Sequence, residues 1–327
     1  MGNSNRKLSV ILPMFNEEKG IYENLRSVIK ILGQIDIEWK IIVVDDGSID
    51  GSKSEAERAL KDTINSEIVS YKPNRGRGFA LRAGFSKADG DIIITTESDL
   101  SWGADIIPKL LNSIISNDCD VVIASPYIEG GALVNVPRHR RFLSHFGNKI
   151  LTFGLPDITM MSGMTRAYKK EVLDKIFLSE DGKEIHLEII SKLIAVGAVI
   201  REIPGVITWK KSESRGKKKR KDFKMANVMV RHIYYSIVES PFHFMGILGL
   251  FFMAIGFFGA AAILVLKMIG FELRRIPYFP VYVFVSMLAG LSTLFFSLLS
   301  MQIRDLKREQ VRMTAQVIEL SRKTRDK

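Results

Sequence analysis

The chain has 327 residues, of which 46% are hydrophobic and 25% are charged, and its formal net charge is +11 at pH 7. Its single cysteine excludes an intrachain disulfide framework and a thiolate metal cluster. The length suffices for one sizeable globular domain with an appendage, and no nucleic-acid-binding motif accompanies the positive charge, so nucleic acid is not an expected partner.

The first 125 residues alternate short apolar runs with helical segments. The predicted strands are 8–12, 40–44, 68–71, 91–96 and 120–124, and the predicted helices are 17–32, 51–61, 78–88 and 104–116. Continuously apolar strands separated by helices predict an α/β fold with a parallel sheet covered on both faces. No signal peptide precedes the first strand, so we expect this domain to stay in the cytosol.

The segment 126–209 has a more mixed pattern. Its predicted helices are 138–153, 169–177 and 184–196, and its predicted strands are 199–203 and 206–209. We expect this half to complete the sheet and to build the acceptor side of a cleft. His186 and Glu188 border that cleft, where a role in ordinary packing is the better expectation.

The C-terminal third contains two uncharged segments, 244–266 and 278–301. Each exceeds the roughly 20 residues that cross a bilayer core, which predicts a transmembrane hairpin. The flanks carry more Lys and Arg than the connector 267–277, so both flanks are expected in the cytosol. A buried helix pair of a soluble protein is the alternative.

The basic clusters at 210–224 and 304–327 flank this hairpin, which makes anionic lipid headgroups the simplest explanation of the charge. The expected organisation is a cytosolic domain at 1–222, an amphipathic interfacial helix at 223–241, the hairpin at 242–302 and a basic helical tail at 303–327. A core helix of the globular domain is the alternative to the interfacial helix.

The tail carries residues at heptad a and d spacing: Ile303, Leu306, Gln310, Met313, Val317 and Leu320. This pattern fits a short coiled coil, a helix on a partner, or an amphipathic helix on the membrane. Self-association through the tail or the hairpin is therefore one expected kind of partnership.

Two polar motifs follow the first strands. Asp45 and Asp46 come directly after the strand 40–44 and could accept hydrogen bonds from a ribose or a base, although ordinary turns look the same. In the segment 74–78, glycines permit close backbone approach and arginines could meet phosphate, while a plain helix start remains the alternative.

A third motif follows the strand 91–96. Glu97 and Asp99 stand two positions apart on an irregular loop, where both carboxylates can turn toward one cation. Hard ions such as Mg²⁺ and Mn²⁺ prefer oxygen ligands of this kind. Taken alone, an acidic pair of this type is more often a solvated surface loop.

Order and spacing make these motifs more specific together than singly. They read Val10-Ile11-Leu12-Pro13-Met14-Phe15-Asn16-Glu17, Asp45-Asp46-Gly47-Ser48, Asn74-Arg75-Gly76-Arg77-Gly78, Gly90-Asp91 and Glu97-Ser98-Asp99. The series resembles inverting family 2 glycosyltransferases with the GT-A fold, and within them the polyprenyl-phosphate glycosyltransferase group that includes dolichol-phosphate mannose synthases. The resemblance covers residues 6–225, and the hairpin agrees with the membrane-anchored members of the group.

The resemblance implies a role for individual positions. Pro13, Phe15, Glu17 and Asp46 match positions that hold the nucleotide. Glu97 and Asp99 match the metal-binding Asp-x-Asp. Arg140 or Arg141, with Ser144 and Asn148, match a segment that faces the lipid phosphate. Lys211, Arg215 and Lys219 lie in the place of a basic loop that closes over the phosphates.

Four positions depart from the pattern of the group. Phe15 replaces a tyrosine, Glu97 an aspartate, Ser101 a glutamine, and Pro126 an arginine. These changes bear on the donor sugar more than on the fold, and they leave a catalytically weak or non-catalytic homologue open.

The resemblance implies an enzyme that transfers a sugar from a nucleotide-sugar to a dolichyl or undecaprenyl phosphate, with inversion and with Mg²⁺ or Mn²⁺ as cofactor. The reaction is expected at the cytosolic face of the cell membrane, or of the endoplasmic reticulum in a eukaryote. A phosphate nucleophile needs no strong general base. The alternatives are transfer to a lipid-linked saccharide or glycolipid, a membrane scaffold without activity, and a dehydrogenase, against which the missing glycine fingerprint argues.

Overall fold

A computed structural model describes residues 6–137, 158–209 and 241–325, with three helical positions, 141, 144 and 148, between the first two ranges. The chain divides into two units: Met1–Lys221 with Gln310–Lys327, and Asp222–Glu309.

Among its described residues, and apart from the helical positions 141, 144 and 148, the first unit contains nine strands and six helices that lie wholly within it. The strands are β1 Lys7–Met14, β2 Glu38–Asp45, β3 Ser66–Ser70, β4 Ile92–Thr95, β5 Val121–Ser125, β6 Ala132–Val134, β7 Arg166–Lys169, β8 Ile200–Pro204 and β9 Val206–Thr208. The helices are α1 Ile21–Leu32, α2 Ser52–Leu60, α3 Arg77–Lys87, α4 Ile106–Ser116, α5 Lys170–Leu173 and α6 Ile185–Ala195.

Seven strands form one sheet in the order β3-β2-β1-β4-β7-β5-β8. All neighbouring pairs are parallel except the two that involve β7, which runs antiparallel to both β4 and β5. β6 and β9 pair in a separate parallel ribbon. The predicted α/β fold with a mostly parallel sheet is confirmed.

The core of the sheet comes from its central strands. Residues 10–12 of β1 and 41–44 of β2 are fully buried, as are 121–124 of β5. Each buried Val, Leu or Ile contributes about 1.5–3 kcal/mol relative to an exposed one. These strands therefore form a rigid base for the loops at their carboxyl ends.

One predicted helix is shorter in the structure, and the strand before it was not predicted. The helix predicted at 169–177 is observed only as α5, Lys170–Leu173, and ends four residues earlier than predicted, while Arg166–Lys169 forms β7. The four residues of β7 are ordered by pairing with β4 and β5, which lie far away in the chain, and no local pattern encodes such pairing. The helix predicted at 138–153 falls on described residues only at positions 141, 144 and 148, which are helical.

The second unit is dominated by two long apolar helices. α7 spans Pro241–Met268, and α8 spans Phe279–Arg325, so the tail predicted from residue 303 onward continues the second helix. Among the residues that the structure describes, two helical segments are long and apolar enough to cross a membrane, Met245–Met268 and Phe279–Ile318. Such length and composition agree with the hairpin predicted from the sequence.

Glycines allow these two helices to approach closely. A Cβ added at Gly290 would lie 2.9 Å from the carbonyl oxygen of Gly249, and one added at Gly256 would lie 2.3 Å from Cγ of Met287. Ser286 Oγ donates to the carbonyl of Phe252 at 2.9 Å. Small residues at the contact are typical of helix pairs in a lipid environment, where the backbones must come close to gain packing.

Candidate functional site

The loop after β1 is tied to the loop after β2. Ser48 Oγ accepts from the Asn16 amide at 3.1 Å, and Ser52 Oγ accepts from the Glu17 amide at 2.7 Å. Asn16 adopts a left-handed conformation with φ of 55°. Phe15 is 43% exposed, so its ring is accessible for stacking against a planar ligand.

Asp45 is buried and holds the turn that follows it. One of its carboxylate oxygens accepts from the Ser48 amide at 2.9 Å, and the other accepts from Ser70 Oγ at 3.0 Å. Asp45 therefore links the ends of β2 and β3 and shapes the loop in which Asp46 lies.

Asp46 was predicted to hold the nucleotide, and its carboxylate makes extensive contacts within the protein. It accepts from Tyr71 Oη at 2.9 Å, Asn74 Nδ2 at 2.7 Å, the Arg75 amide at 2.9 Å and the Gly76 amide at 3.0 Å. Burial is the main cause that raises the pKa of Tyr71, and the hydrogen bond to Asp46 raises it further. A carboxylate has about four acceptor sites, so these donors occupy most of its capacity, and direct contact with a nucleotide stays a prediction.

The glycines of the segment 74–78 accommodate a neighbouring loop. A Cβ at Gly76 would lie 2.5 Å from the carbonyl oxygen of Asp181, and one at Gly78 would lie 2.2 Å from that of Glu180. The Gly78 amide donates to the Asp181 carbonyl at 2.7 Å. Residues 180–182 therefore lie against the N-terminus of α3. The close backbone approach that these glycines permit is made by this loop of the protein itself.

The arginines on either side of Gly76 differ in their surroundings. The Arg75 guanidinium lies 3.4 Å from the centroid of the Phe79 ring, which is a cation–π contact. The positive charge of Arg77 is one of the influences that lower the pKa of Glu97, and it also lowers the pKa of Lys183. Arg77 therefore lies close enough to the acidic motif to influence it electrostatically.

The acidic motif follows β4. Glu97 is half-buried and its Oε2 accepts from Thr165 Oγ1 at 2.5 Å, while Asp99 is exposed and its Oδ1 accepts from the Ser101 amide at 2.9 Å. Burial raises the pKa of the Glu97 carboxyl, and this effect outweighs the Thr165 hydrogen bond and the Arg77 charge, which lower it.

The donor set suits a hard divalent cation. Glu97 and Asp99 offer only oxygen atoms, and in the described part of the chain no group of three or more His, Cys, Asp or Glu side chains could hold a metal. Mg²⁺ commonly takes one or two carboxylates and completes its shell with water and substrate phosphates. The residues present fit that mode of binding and do not fit a closed structural metal site.

Asn148, predicted to face the lipid phosphate, is buried and fastens a neighbouring loop. Its Oδ1 accepts from the amides of Met161 and Ser162 at 3.2 and 3.3 Å, and its Nδ2 donates to the Ser144 carbonyl at 3.1 Å. Both ends of the amide are therefore used inside the protein. Its contact with a lipid phosphate stays a prediction.

The other predicted acceptor residues within the described ranges also have internal contacts. Ser144 Oγ and Tyr127 Oη lie 2.6 Å apart, and an Arg141 guanidinium nitrogen donates to the Leu133 carbonyl at 2.8 Å. Arg140, Lys211, Arg215 and Lys219 lie outside the described residues.

Comparison with known proteins decides the family. Residues 9–177, just over half of the chain, match the family described as Glycosyl transferase family 2. The chain belongs to this family. The predicted resemblance is thereby confirmed, and the order of strand-end motifs identified the correct family.

Two curated relatives illustrate the kind of family 2 protein that this chain is similar to. The dolichol-phosphate mannosyltransferase of Pyrococcus furiosus is 29% identical over 231 residues, which are 70% of this chain and 63% of that protein. The chain therefore covers less than two thirds of that relative. The undecaprenyl-phosphate 4-deoxy-4-formamido-L-arabinose transferase of Proteus mirabilis is 27% identical over 272 residues, 80% of this chain and 77% of that protein.

Solved structures support the family 2 fold. Glucosyl-3-phosphoglycerate synthase from Mycobacterium tuberculosis superposes with a TM-score of 0.54 at 18% identity, over 72% of this chain and 80% of that chain. The same enzyme has been solved with Mn²⁺, uridine diphosphate and phosphoglyceric acid, at a TM-score of 0.54. At this identity the likeness shows the fold alone.

A cavity beside the acidic motif was not predicted from the sequence. It has a volume of about 520 Å³ and lies between the loop after Asp99, the start of α4 and the β6–β9 ribbon. Its lining includes Ser101, Trp102, Lys109 and Thr208. The Thr208 amide donates to the Ser101 carbonyl at 2.8 Å, which ties the ribbon to this loop of the family 2 domain. No local sequence pattern could have revealed it, because its walls come from distant parts of the chain.

Glu188 on α6 is an acidic side chain that holds a neighbouring loop in place. It accepts from Ser179 Oγ at 2.8 Å, from the Glu180 amide at 3.0 Å and from Lys192 Nζ at 2.7 Å. Burial opposes its ionisation, but these hydrogen bonds together lower its pKa. Glu188 thus fixes the loop that covers the start of α3, as the expectation of a packing role implies.

Proposed function

We propose that this family 2 chain transfers a sugar from a nucleotide-sugar to the phosphate of a polyprenyl lipid, with inversion, at the cytosolic face of a membrane. The observation that carries the proposal is the placement of Glu97 and Asp99 after β4, next to the Phe15 loop after β1, in a chain with two membrane-length apolar helices. The names of the two curated relatives support the lipid-phosphate acceptor.

The donor would lie across the ends of β1, β2 and β4. Phe15 offers a ring face to the base, while Asp46 holds the segment 71–76 in place beside it. Glu97 and Asp99 would hold a divalent cation, which when bound stabilises the charge on the departing diphosphate. Arg77 adds positive charge near the same point.

The acceptor phosphate would attack the anomeric carbon from the side opposite the diphosphate. A phosphate dianion is nucleophilic near neutral pH, so no side chain is assigned as a base. Arg140 or Arg141 and the basic segment that includes Lys211, Arg215 and Lys219 are proposed to bind this phosphate through charge-assisted hydrogen bonds. Membrane anchoring keeps the enzyme in the plane that contains its acceptor and raises the effective concentration of the lipid.

The test is transfer of radiolabelled sugar from a panel of nucleotide-sugars to a short-chain polyprenyl phosphate, with the full chain in detergent and with Mn²⁺ or EDTA. We expect lipid labelling that EDTA abolishes and that Asp99→Ala lowers by about a hundredfold or more, because one carboxylate ligand is lost. The matched control is Asp62→Ala, which removes an exposed carboxylate between α2 and β3.

Labelling that is equal in Asp99→Ala and Asp62→Ala would contradict the assigned role of Asp99. Donor binding without transfer to any polyprenyl phosphate would point to another acceptor, and no donor binding would point to a scaffold without activity.

The second candidate is transfer to a lipid-linked saccharide, which the cavity of about 520 Å³ beside Ser101 favours because it can hold a sugar ring. A hydroxyl acceptor needs a general base. Transfer to a lipid-linked saccharide but not to a polyprenyl phosphate would support this candidate. A pH profile alone would not separate the two acceptors, because a phosphate acceptor itself ionises at about pH 6.

A further inference from the structure

Glu97 is held by a short chain of buried hydroxyl groups. Thr165 Oγ1 lies 2.5 Å from Glu97 Oε2 and 3.2 Å from Thr96 Oγ1, and both threonines are fully buried. A hydroxyl carries one proton. Because Thr165 donates that proton to the carboxylate, the Thr96 hydroxyl is the donor to Thr165, and the hydrogen bonds run in one direction toward Glu97.

The backbone holds Thr165 rigidly beside the acidic motif. Its carbonyl accepts from the Ala124 amide of β5 at 3.1 Å, and the next residue, Arg166, pairs with Thr95 at the end of β4. The preceding carbonyl, that of Met164, accepts from Thr95 Oγ1 at 2.5 Å. The backbone of Thr165 is therefore fixed at the start of β7, and its buried hydroxyl lies between Glu97 and Thr96.

A glutamate at this position needs more support from its neighbours than an aspartate would. The extra methylene adds a rotatable bond, and ordering it at the moment of cation binding would cost entropy. A hydrogen bond from a rigid neighbour can order that bond before the cation arrives. Such support of a metal ligand typically changes metal affinity by about 10–100-fold.

We propose that Thr165 is a positioning residue that holds the Glu97 carboxylate for the divalent cation, so that a glutamate can serve as the first acidic ligand. The hydrogen bond from Thr165 to Oε2 would leave the other oxygen of the Glu97 carboxylate available to a cation. The inference rests on the proposed cation site at Glu97 and Asp99 and adds the side chain that prepares it.

The experiment measures binding of Mn²⁺ alone to the full chain in detergent, from the loss of the electron paramagnetic resonance signal of free Mn²⁺. Asp99→Ala sets the background of binding elsewhere. We expect Thr165→Val, which keeps the shape of the side chain but lacks the hydroxyl, to weaken the Asp99-dependent binding about tenfold. Thr165→Ser keeps the hydroxyl and should bind as the parent does, which a purely structural role of the side chain would not predict.

A double-mutant comparison adds an independent readout. The shorter carboxylate of Glu97→Asp cannot reach Thr165, so Thr165→Val should weaken binding no further in that background. Thr165→Ala takes the place of the valine variant if melting curves show that the latter does not fold. Parent-like binding by the folded hydroxyl-free variant, or an undiminished effect in the Glu97→Asp background, would overturn the inference.

The outcomes separate this inference from the proposed function. Absence of Mn²⁺ binding by the parent chain would remove both the cation site and the role of Thr165. Normal hydroxyl-dependent Mn²⁺ binding by a chain that transfers no sugar would leave the inference standing and remove only the proposed reaction.

Discussion

The Asp46 carboxylate gathers four donors from the segment 71–76, two from side chains and two from backbone amides. Hydrogen bonds to a charged acceptor contribute about 1.5–3 kcal/mol each in favourable cases. Asp46 can thus act on a nucleotide indirectly, since it sets the path of the chain between β3 and α3. The proposed direct contact between Asp46 and the nucleotide would have to use an acceptor site of the carboxylate that these four donors leave open.

We expect Asp46→Asn to lower the melting temperature of the full chain by several degrees. The substituted amide turns an NH₂ group toward donors that need an acceptor, and leaving buried donors unsatisfied costs about 1–3 kcal/mol. Tyr71→Phe removes one donor and keeps the carboxylate, so its effect should be smaller. Thermal melting followed by intrinsic fluorescence measures both, and equal melting of Asp46→Asn and the parent chain would show that the contacts contribute little.

At the scale of elements, the loop 178–182 connects α3 with α6. Arg82 of α3 donates to the carbonyls of Leu178 and Ser179 at 3.2 and 3.1 Å, and Glu188 of α6 accepts from the Ser179 and Glu180 amides. The loop is thereby held from both sides, and it in turn supports the start of α3, where Arg77 lies.

This connection should depend on pH through Glu188. The folded pKa of this carboxyl lies below its ordinary value of 4.5, so its stabilising contribution is present above about pH 4.5 and is lost as the pH falls through the folded pKa. We expect the difference in melting temperature between the parent chain and Glu188→Gln to be largest above pH 5 and to shrink below pH 4.5. Melting curves recorded between about pH 7 and pH 3.5 measure it.

The matched control is Glu171→Gln, which removes the same charge from an exposed position on α5. Its difference from the parent chain should stay small throughout. A difference for Glu188→Gln that is constant with pH would show that the side chain acts by shape and not by charge.

At the scale of the whole molecule, the chain combines a family 2 domain with two membrane-length helices and an uneven distribution of positive charge. The connector 267–277 carries one lysine, two arginines and one glutamate, whereas the tail after residue 303 carries a larger excess of Lys and Arg. The excess of positive charge favours the cytosolic side. This asymmetry supports the proposed orientation with the family 2 domain in the cytosol.

The orientation predicts which engineered cysteines an impermeant maleimide can reach. Glu272→Cys in the connector should be labelled on intact cells, while Ser321→Cys in the tail should be labelled only after the membrane is permeabilised. Both positions are exposed, and the native Cys119 is only 1% exposed, so the parent chain serves as the background. The reverse labelling pattern would contradict the proposed topology.

Much of this molecule could be predicted from the sequence because the signals are local. The strands β1, β2 and β4 are apolar runs followed by polar motifs, and the two apolar segments of the predicted hairpin exceed the length of a bilayer crossing. The order of the motifs also indicated the family correctly. In each case the residues that carry the signal lie within one element or at its end.

Only the tertiary structure determines which residues from distant parts of the chain lie in contact. The insertion of β7 between β4 and β5 places Thr165 beside Glu97, although the two lie 68 positions apart, and the loop 180–182 reaches the glycines at the start of α3. The sequence by itself determined the elements, the acidic strand ends and the membrane-length segments, because hydrophobic periodicity and chain length encode them. Which donors surround Asp46 and Glu97 depends on contacts between separate elements, and no local pattern encodes those contacts.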